Sequence, residues 1–518
     1  MVGVLIIQIF TILYFCNLKQ GMHYDEFYSY YSSNVTYALT MPEMGWENVD
    51  EIRSEFMVLE DASLDYKMVN LMQSLDVHPP LYYFLLHTVC GLSKGVFSKW
   101  QGLAINILFF ALSWILLAKI AKLLTNNKKT ILAVCLLFGF SPAVYSGITF
   151  IRMYMMLTFE CLLLLYIHIR ASKQNKFTWK NFYFPVMLMA FAGFYTHYYY
   201  AVFLFFVAAA VSLYWFFGKE TRLQSIQYAF CVCFGMLVTV VVYPSSLKHI
   251  FRGYRGTEAM DAFFSFSNLV DRINFFFDLT NEYAFGGMLP LAVILVIVLL
   301  LTLGILRKRK GLRFLPSREL YLVMIVTLGY FLVVAKTALL NAEEAIRYEM
   351  PIYGLLILLV IMALEKLPKL CRDNLPILKR INCEIVFIAV AILIFVGQLV
   401  ALSQKKVCFL YESDKENVAW AFEHKDDMVA YIYNPTNQWM IWDESLELMQ
   451  YNHIYFASTA MESVAVDSQL SEADEIYVYA MRGDAAQEML ENLAKVNGKS
   501  DSCTKVRELL YCDLYLIK

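Results

Sequence analysis

The chain has 518 residues, of which 59% are hydrophobic and 17% charged, against about 45–50% and about 25% in soluble domains. Its apolar residues are clustered: the runs 131–140, 201–211, 289–303 and 385–396 carry no charge, and a helix that is apolar all round needs apolar surroundings. A soluble globular fold is excluded, whereas a bilayer, crossed by about 20 residues at a time, supplies those surroundings. The net charge of −2 carries no signal for nucleic acid, and none is expected as a partner.

Residues 2–16 make the first expected span. No small-residue cleavage site follows, so they read as an uncleaved anchor, although the lack of basic residues ahead of them leaves the start codon open. A polar stretch, 17–100, comes next and includes the charged run 47–65. Within it Leu64, Met68, Leu71, Met72 and Leu75 recur at helical spacing, which predicts an amphipathic helix on the membrane surface. Residues 80–92 are apolar but too short to cross. Further spans are expected at 101–121, 130–148, 151–169, 182–200, 201–217, 225–243, 288–306, 320–340, 350–365 and 383–403, about eleven in all.

The linkers between them alternate in charge. Basic groups fall at Lys122, Lys128 and Lys129; at Arg170, Lys173, Lys176 and Lys180; at Lys219 and Arg222; at Arg307, Lys308, Arg309, Lys310, Arg313 and Arg318; and at Lys366, Lys369, Arg372, Lys379 and Arg380. The positive-inside rule makes all five cytoplasmic. They occupy alternate linkers only if 80–92 does not span, so that segment reads as a juxtamembrane or re-entrant helix. The outer side then receives 17–100, the turn at 148–152, the corner at 196–200, the loop 244–287, the loop 341–350 and the tail. The tail changes character: 428–433, 475–479 and 509–517 have strand composition and 485–494 is helix-like. The expected architecture is an all-α polytopic membrane domain (1–403), with juxtamembrane helices in its first outer loop, plus a small α/β extracytoplasmic domain (404–518). The 11 cysteines have no metal-ligand spacing, and a Cys503–Cys512 bridge and free thiols both remain open.

Five outer features can carry chemistry. His23-Tyr24-Asp25-Glu26 places two carboxylates just past the first span, where solvation is costly unless they are used or paired. Neighbours on a helix point about 100° apart, so one acid can address a given atom while the other holds something else. In Asp76-Val77-His78-Pro79-Pro80-Leu81-Tyr82-Tyr83 the tandem prolines fix the backbone and present His78 at the boundary, where an imidazole can bind phosphate or titrate. Arg152 and Tyr154 lie at the turn between two spans, and His197 lies in a tyrosine-rich corner that an aromatic belt explains only in part. Arg347 and Tyr348, after Glu343 and Glu344, precede another span; such an arginine either clamps a lipid phosphate or snorkels to the interface.

The Asp-Glu pair after the first span, the His-Pro-Pro-Leu-Tyr-Tyr segment some fifty residues on and the Arg-x-Tyr turn resemble the bacterial protein O-mannosyltransferase-like branch of the GT-C glycosyltransferases, which includes the lipid A aminoarabinose transferases. The resemblance covers about residues 1–365. It implies a hexosyl- or pentosyltransferase that takes a sugar from a polyprenyl monophosphate and places it on a glycan, lipid or protein hydroxyl outside the cell, with the bilayer as its medium. Asp25 is then the catalytic base, with Glu26 supporting it or meeting the acceptor. His78, Arg152 and Arg347 are the donor-phosphate candidates, and Tyr24, Tyr82, Tyr154, His197 and Tyr348 line the substrate. Some relatives bind a divalent cation through an acid where this chain has Val77, so no metal ligands are expected and cation dependence stays open. A single base without a second nucleophile implies inversion at the anomeric carbon.

Two other classes compete. A transporter or flippase of a glycolipid or cell-envelope precursor also needs many spans, but such proteins place ionisable groups near the midplane; here Glu160 comes nearest to that. An assembly protein working through its tail leaves Asp25 and His78 without a task.

Overall fold

A computed structural model of the chain describes residues 1–35, 41–60, 62–218, 221–265, 267–310, 316–374, 382–461, 465–499 and 503–518. Asp61 of the charged run and Lys219, Arg313, Lys379 and Arg380 of the basic linkers lie outside them. The contacts define two compact units. The first comprises Met1–Cys16, Leu71–Tyr82 and Gly102–Cys408, and the second Asn17–Asn70, Tyr83–Gln101 and Phe409–Lys518.

In the first unit every stretch expected to span is helical. Eight helices among the described residues are long and apolar enough to cross a bilayer alone, from Lys99–Leu124 to Cys383–Ser403. A further crossing is broken: Lys128–Gly139 and Pro142–Thr149 meet at 47°, because Pro142 has no N–H to continue the ladder. Val2–Leu18, of 17 residues, and Phe184–Thr196, of 13 residues and entered through the π-turn Trp179–Tyr183, are shorter apolar helices at the two other places where the sequence predicts a span. The chain is thus a multi-pass membrane protein.

No water in a bilayer satisfies backbone carbonyls freed by a kink, so side chains must. Gln8 Nε2 donates to the Cys135 carbonyl (3.1 Å), and Gln398 Nε2 donates to those of Leu137 (2.9 Å) and Ala284 (2.7 Å). Two basic linkers are tied by buried acids. Glu319 accepts from the Ser172 hydroxyl (2.6 Å) and pairs with Lys173 (3.3 Å) and Arg318 (2.9 Å). Glu365 accepts from Thr130 (2.8 Å) and Asn127 (3.0 Å).

The second unit holds Leu81–Gly91, whose 11 residues cannot cross the membrane, apart from its first two residues. Its centre is a sheet of β1 (Met44–Asn48), β2 (Val429–Tyr433), β3 (His453–Ser458), β4 (Ile476–Met481), β5 (Cys503–Glu508) and β6 (Cys512–Ile517). The spatial order is β1-β3-β2-β4-β6-β5, with β2 parallel to both β3 and β4 and the other pairs antiparallel. The edge strand β1 therefore comes from the first outer stretch, not the tail. Helix Asp484–Val496 buries Ala486, Met489, Leu490 and Leu493, the spacing of one helical face, against Ile432, Val478 and Ile517. Cys503 and Cys512 are free thiols. Cys503 lies across from Ile517, at the far end of β6 from Cys512, so the bridge left open by the sequence does not form.

A buried acid under this sheet makes its stability pH-dependent. Glu444 is 2% exposed and accepts from the Tyr431 hydroxyl at 3.2 Å. Burial, reinforced by the neighbouring Asp443 charge, pushes its pKa up to about 8, against about 4.3 in an unfolded chain. The folded state keeps a proton that the unfolded chain has released, so this contribution is full below about pH 4.3 and is lost as pH rises towards 8. Glu444→Gln is expected to raise stability at pH 8 by a few kcal/mol, since each tenfold difference in proton affinity between the folded and unfolded chain is worth about 1.4 kcal/mol, and to do little at pH 4. Thermal unfolding at both pH values checks this; equal effects at the two would refute it.

Candidate active site

In the first unit, four turns between helices carry the outer features. The turn after Tyr66–Leu75 holds Asp76 and His78, and the next helix starts at Leu81, directly after the two prolines. Arg152 occupies the break between Pro142–Thr149 and Tyr154–Gln174. That break is stabilised from a neighbouring helix, where the Asn106 side-chain amide donates to the Ile148 (3.0 Å) and Phe150 (2.7 Å) carbonyls. At the same place Gly102 permits close approach, since a Cβ there would sit 2.0 Å from Ile151 Cγ2. His197 caps Phe184–Thr196 in extended conformation, and Arg347 and Tyr348 lie in the 3₁₀ turn Ala342–Glu349.

These turns bring most of the expected residues together. His78 Nδ1 lies 3.1 Å from Asp76 Oδ2, and the Arg152 guanidinium lies against the same imidazole, 3.5 Å from Nε2. Burial alone would raise the Asp76 pKa, but the hydrogen bond and charge of His78, the charge of Arg152 and the Val77 N–H outweigh it and hold the carboxyl below its ordinary range. The His78 and His197 rings are 5.8 Å apart, His197 and Tyr154 5.4 Å, and Tyr154 and Tyr348 6.1 Å. Arg347, 4% exposed, faces the Phe150 and Tyr348 rings, each 5.2 Å away, with Glu344 Oε2 at 3.9 Å. Aromatic faces attract a guanidinium while leaving its outer edge able to bind.

The local field is positive. His197 is held neutral, its pKa driven well below the ordinary value first by burial and then by His78, Arg152 and Arg347. Its Nδ1 accepts the Tyr199 N–H at 3.1 Å, which puts the proton on Nε2. Under this cluster Tyr243 donates to the His78 carbonyl (3.5 Å) and the Tyr198 hydroxyl meets His249 Nδ1 (2.9 Å). Tyr82 is fully buried at the start of its helix. Glu160, buried within a span, accepts from the Thr196 hydroxyl at 2.9 Å.

Asp25, Glu26 and Tyr24 lie in the second unit. His23 caps helix Tyr24–Asn34: its Nδ1 accepts the Asp25 N–H at 3.0 Å, while Glu26 Oε2 accepts the His23 N–H at 2.7 Å. This reciprocal box fixes the helix start, and the helix dipole favours a carboxylate at Asp25. Asp25 is a quarter exposed, with Oδ2 3.7 Å from His23 Nδ1. Glu26 is fully buried and paired with Lys19 at 2.8 Å. The Tyr24 ring lies 5.5 Å from that of Trp439.

Sequence reasoning missed Lys19, Asn106, Phe150 and Trp439. A lone lysine past a span reads as an interfacial anchor, and only the adjacent acidic pair hinted at more. Among the described residues no group of three or more His, Cys, Asp or Glu side chains could hold a metal ion.

Residues 77–244 match the family model described as dolichyl-phosphate-mannose-protein mannosyltransferase; His78, Arg152, Tyr154 and His197 fall inside that segment. No curated protein matches the sequence. Among solved structures the chain is similar to ArnT from Cupriavidus metallidurans in its apo state, with a TM-score of 0.52 and 11% identity over 99% of this chain and 97% of that one. The family model supports the resemblance drawn from the His-Pro-Pro segment and the Arg-x-Tyr turn over residues 77–244, and the structural match shows the fold of the chain: a polytopic membrane protein with a GT-C-like, ArnT-like fold.

Proposed function

We propose that the protein is an inverting glycosyltransferase that moves a sugar from a polyprenyl-monophosphate donor to an acceptor hydroxyl on the outer side of the membrane. The observation that carries this reading is the positive, aromatic-walled cluster of His78, Arg152 and Arg347, which suits a lipid phosphate at a membrane boundary. In the transfer, the acceptor O–H gives its proton to the Asp25 carboxylate as its oxygen bonds to the anomeric carbon. The bond from that carbon to the phosphate oxygen breaks, and its electron pair stays on the phosphate. The two arginines stabilise the charge that grows there, and His78, held by Asp76, orients the group. Tyr154, Tyr348 and neutral His197 wall the donor side, while Tyr24 meets the acceptor. The basic linkers face the cytoplasm under the positive-inside rule, which puts the cluster outside.

The test is a proteoliposome assay with polyprenyl-monophosphate-linked sugars. Acceptor-dependent release of polyprenyl monophosphate, with the anomeric configuration of the product inverted, is expected. Passage of intact glycolipid between leaflets with no bond broken would establish transport instead.

A further inference from the structure

The Lys19–Glu26 pair has no evident use in stability. Both side chains are fully buried, and a buried ion pair commonly does no more for stability than an apolar pair of the same volume, because desolvation cancels the attraction. Its geometry is nonetheless complete. Lys19 Nζ donates to Glu26 Oε2 at 2.8 Å and to the Phe409 carbonyl at 2.7 Å, and lies 5.4 Å from the centre of the Tyr411 ring. Glu26 Oε2 in turn accepts the His23 N–H, and His23 Nδ1 accepts the N–H of Asp25. One unbroken chain of contacts therefore runs from the tail backbone through Lys19, Glu26 and His23 to the Asp25 main-chain N–H, at the root of its side chain. The tail segment is shaped for it: Phe409 and Tyr411 adopt left-handed φ of 66° and 47°, which non-glycine residues adopt rarely. Leu410 also accepts the Gln20 N–H at 2.8 Å. Gly21 lets the segments meet, since a Cβ there would lie 2.7 Å from Tyr411 Cβ.

We propose that Lys19 is a positioning residue that sets the orientation of the Asp25 carboxylate through Glu26 and His23, and that the tail segment 409–411 is part of that device. This rests on Asp25 being the base.

Full-length Lys19→Met, Asp25→Asn and the double variant are compared in proteoliposomes with a polyprenyl-monophosphate sugar under single-turnover conditions. Lys19→Met is expected to slow transfer at least tenfold with donor KM within twofold of the parent. The double variant is expected to be no slower than Asp25→Asn within twofold, because a group acting through Asp25 then has nothing left to orient. Effects that multiply, or a Lys19→Met rate within twofold of the parent, would overturn the proposal. Should Lys19→Met fail to fold, Lys19→Met/Glu26→Gln removes both charges and is measured in its place; the same loss is expected, and a parental rate overturns the proposal. An Asp25→Asn protein that works at the parental rate removes the base assignment itself, and the positioning role falls with it.

Discussion

Asp25→Asn is expected to slow sugar transfer by about 10²–10⁴-fold, the usual contribution of a well-placed general base, while leaving the protein folded. The amide keeps the size of the side chain and one acceptor oxygen but cannot take the acceptor's proton. Asp25 is a quarter exposed and its ion-pair distance to His23 is 3.7 Å, and the favourable placement of a charge in the first helical turn, about 0.3–1 kcal/mol, goes with the substitution. Glu26→Gln makes the contrast. It strands the Lys19 ammonium in a fully buried site, a change expected to cost about 3–5 kcal/mol of stability. Asp25→Asn is therefore read by kinetics with stability nearly unchanged, whereas Glu26→Gln shows in unfolding as well. Rates measured with saturating lipid donor, beside unfolding curves for both variants, check this. An Asp25→Asn rate equal to the parent would end the base assignment.

How much of this was legible before the structure follows from where the determining interactions lie. The spans were readable because each buries its apolar surface against lipid or neighbouring helices, and that demand is written locally in runs of about 20 residues. His78, Arg152, His197 and Arg347 were readable for the complementary reason: polar groups at a membrane boundary are costly enough to stand out. Their convergence was not, because it depends on contacts such as Asn106 with the 148–150 backbone, which no periodicity records. The sheet was half legible. Strands β2, β4 and β6 and the helix after β4 carry strong local patterns, but β1, with its Met-Gly-Trp-Glu-Asn sequence, has little strand character and gains it only by pairing with β3 some four hundred residues later. Glu26 shows the limit most clearly. Side by side, the two acids look equivalent in sequence, and only the capping box and Lys19 separate their tasks.

Arg152→Ala is expected to reduce transfer by about 10²–10³-fold, the typical loss when one preorganised donor to a developing oxyanion is removed. Arg152→Lys should recover only part of it, because an ammonium keeps the charge but loses the planar fork that meets two phosphate oxygens at once. The effect should also appear in binding. Polyprenyl monophosphate, the product of the proposed transfer, carries the phosphate that leaves in the transition state, so its inhibition constant should rise at least tenfold in the alanine variant, about 1.4 kcal/mol or more. Arg152 is 4% exposed and rests on His78, so a general loss of packing must be told apart from a lost phosphate contact. The lysine variant does this, since it fills most of the space, and His197 provides a second measure. Its imidazole is held neutral partly by the Arg152 charge; removing that charge should move its titration upward in the alanine variant but leave it low in the lysine one. Product inhibition unchanged in Arg152→Ala would place the phosphate elsewhere and leave Arg152 as a structural brace of the 150–153 turn.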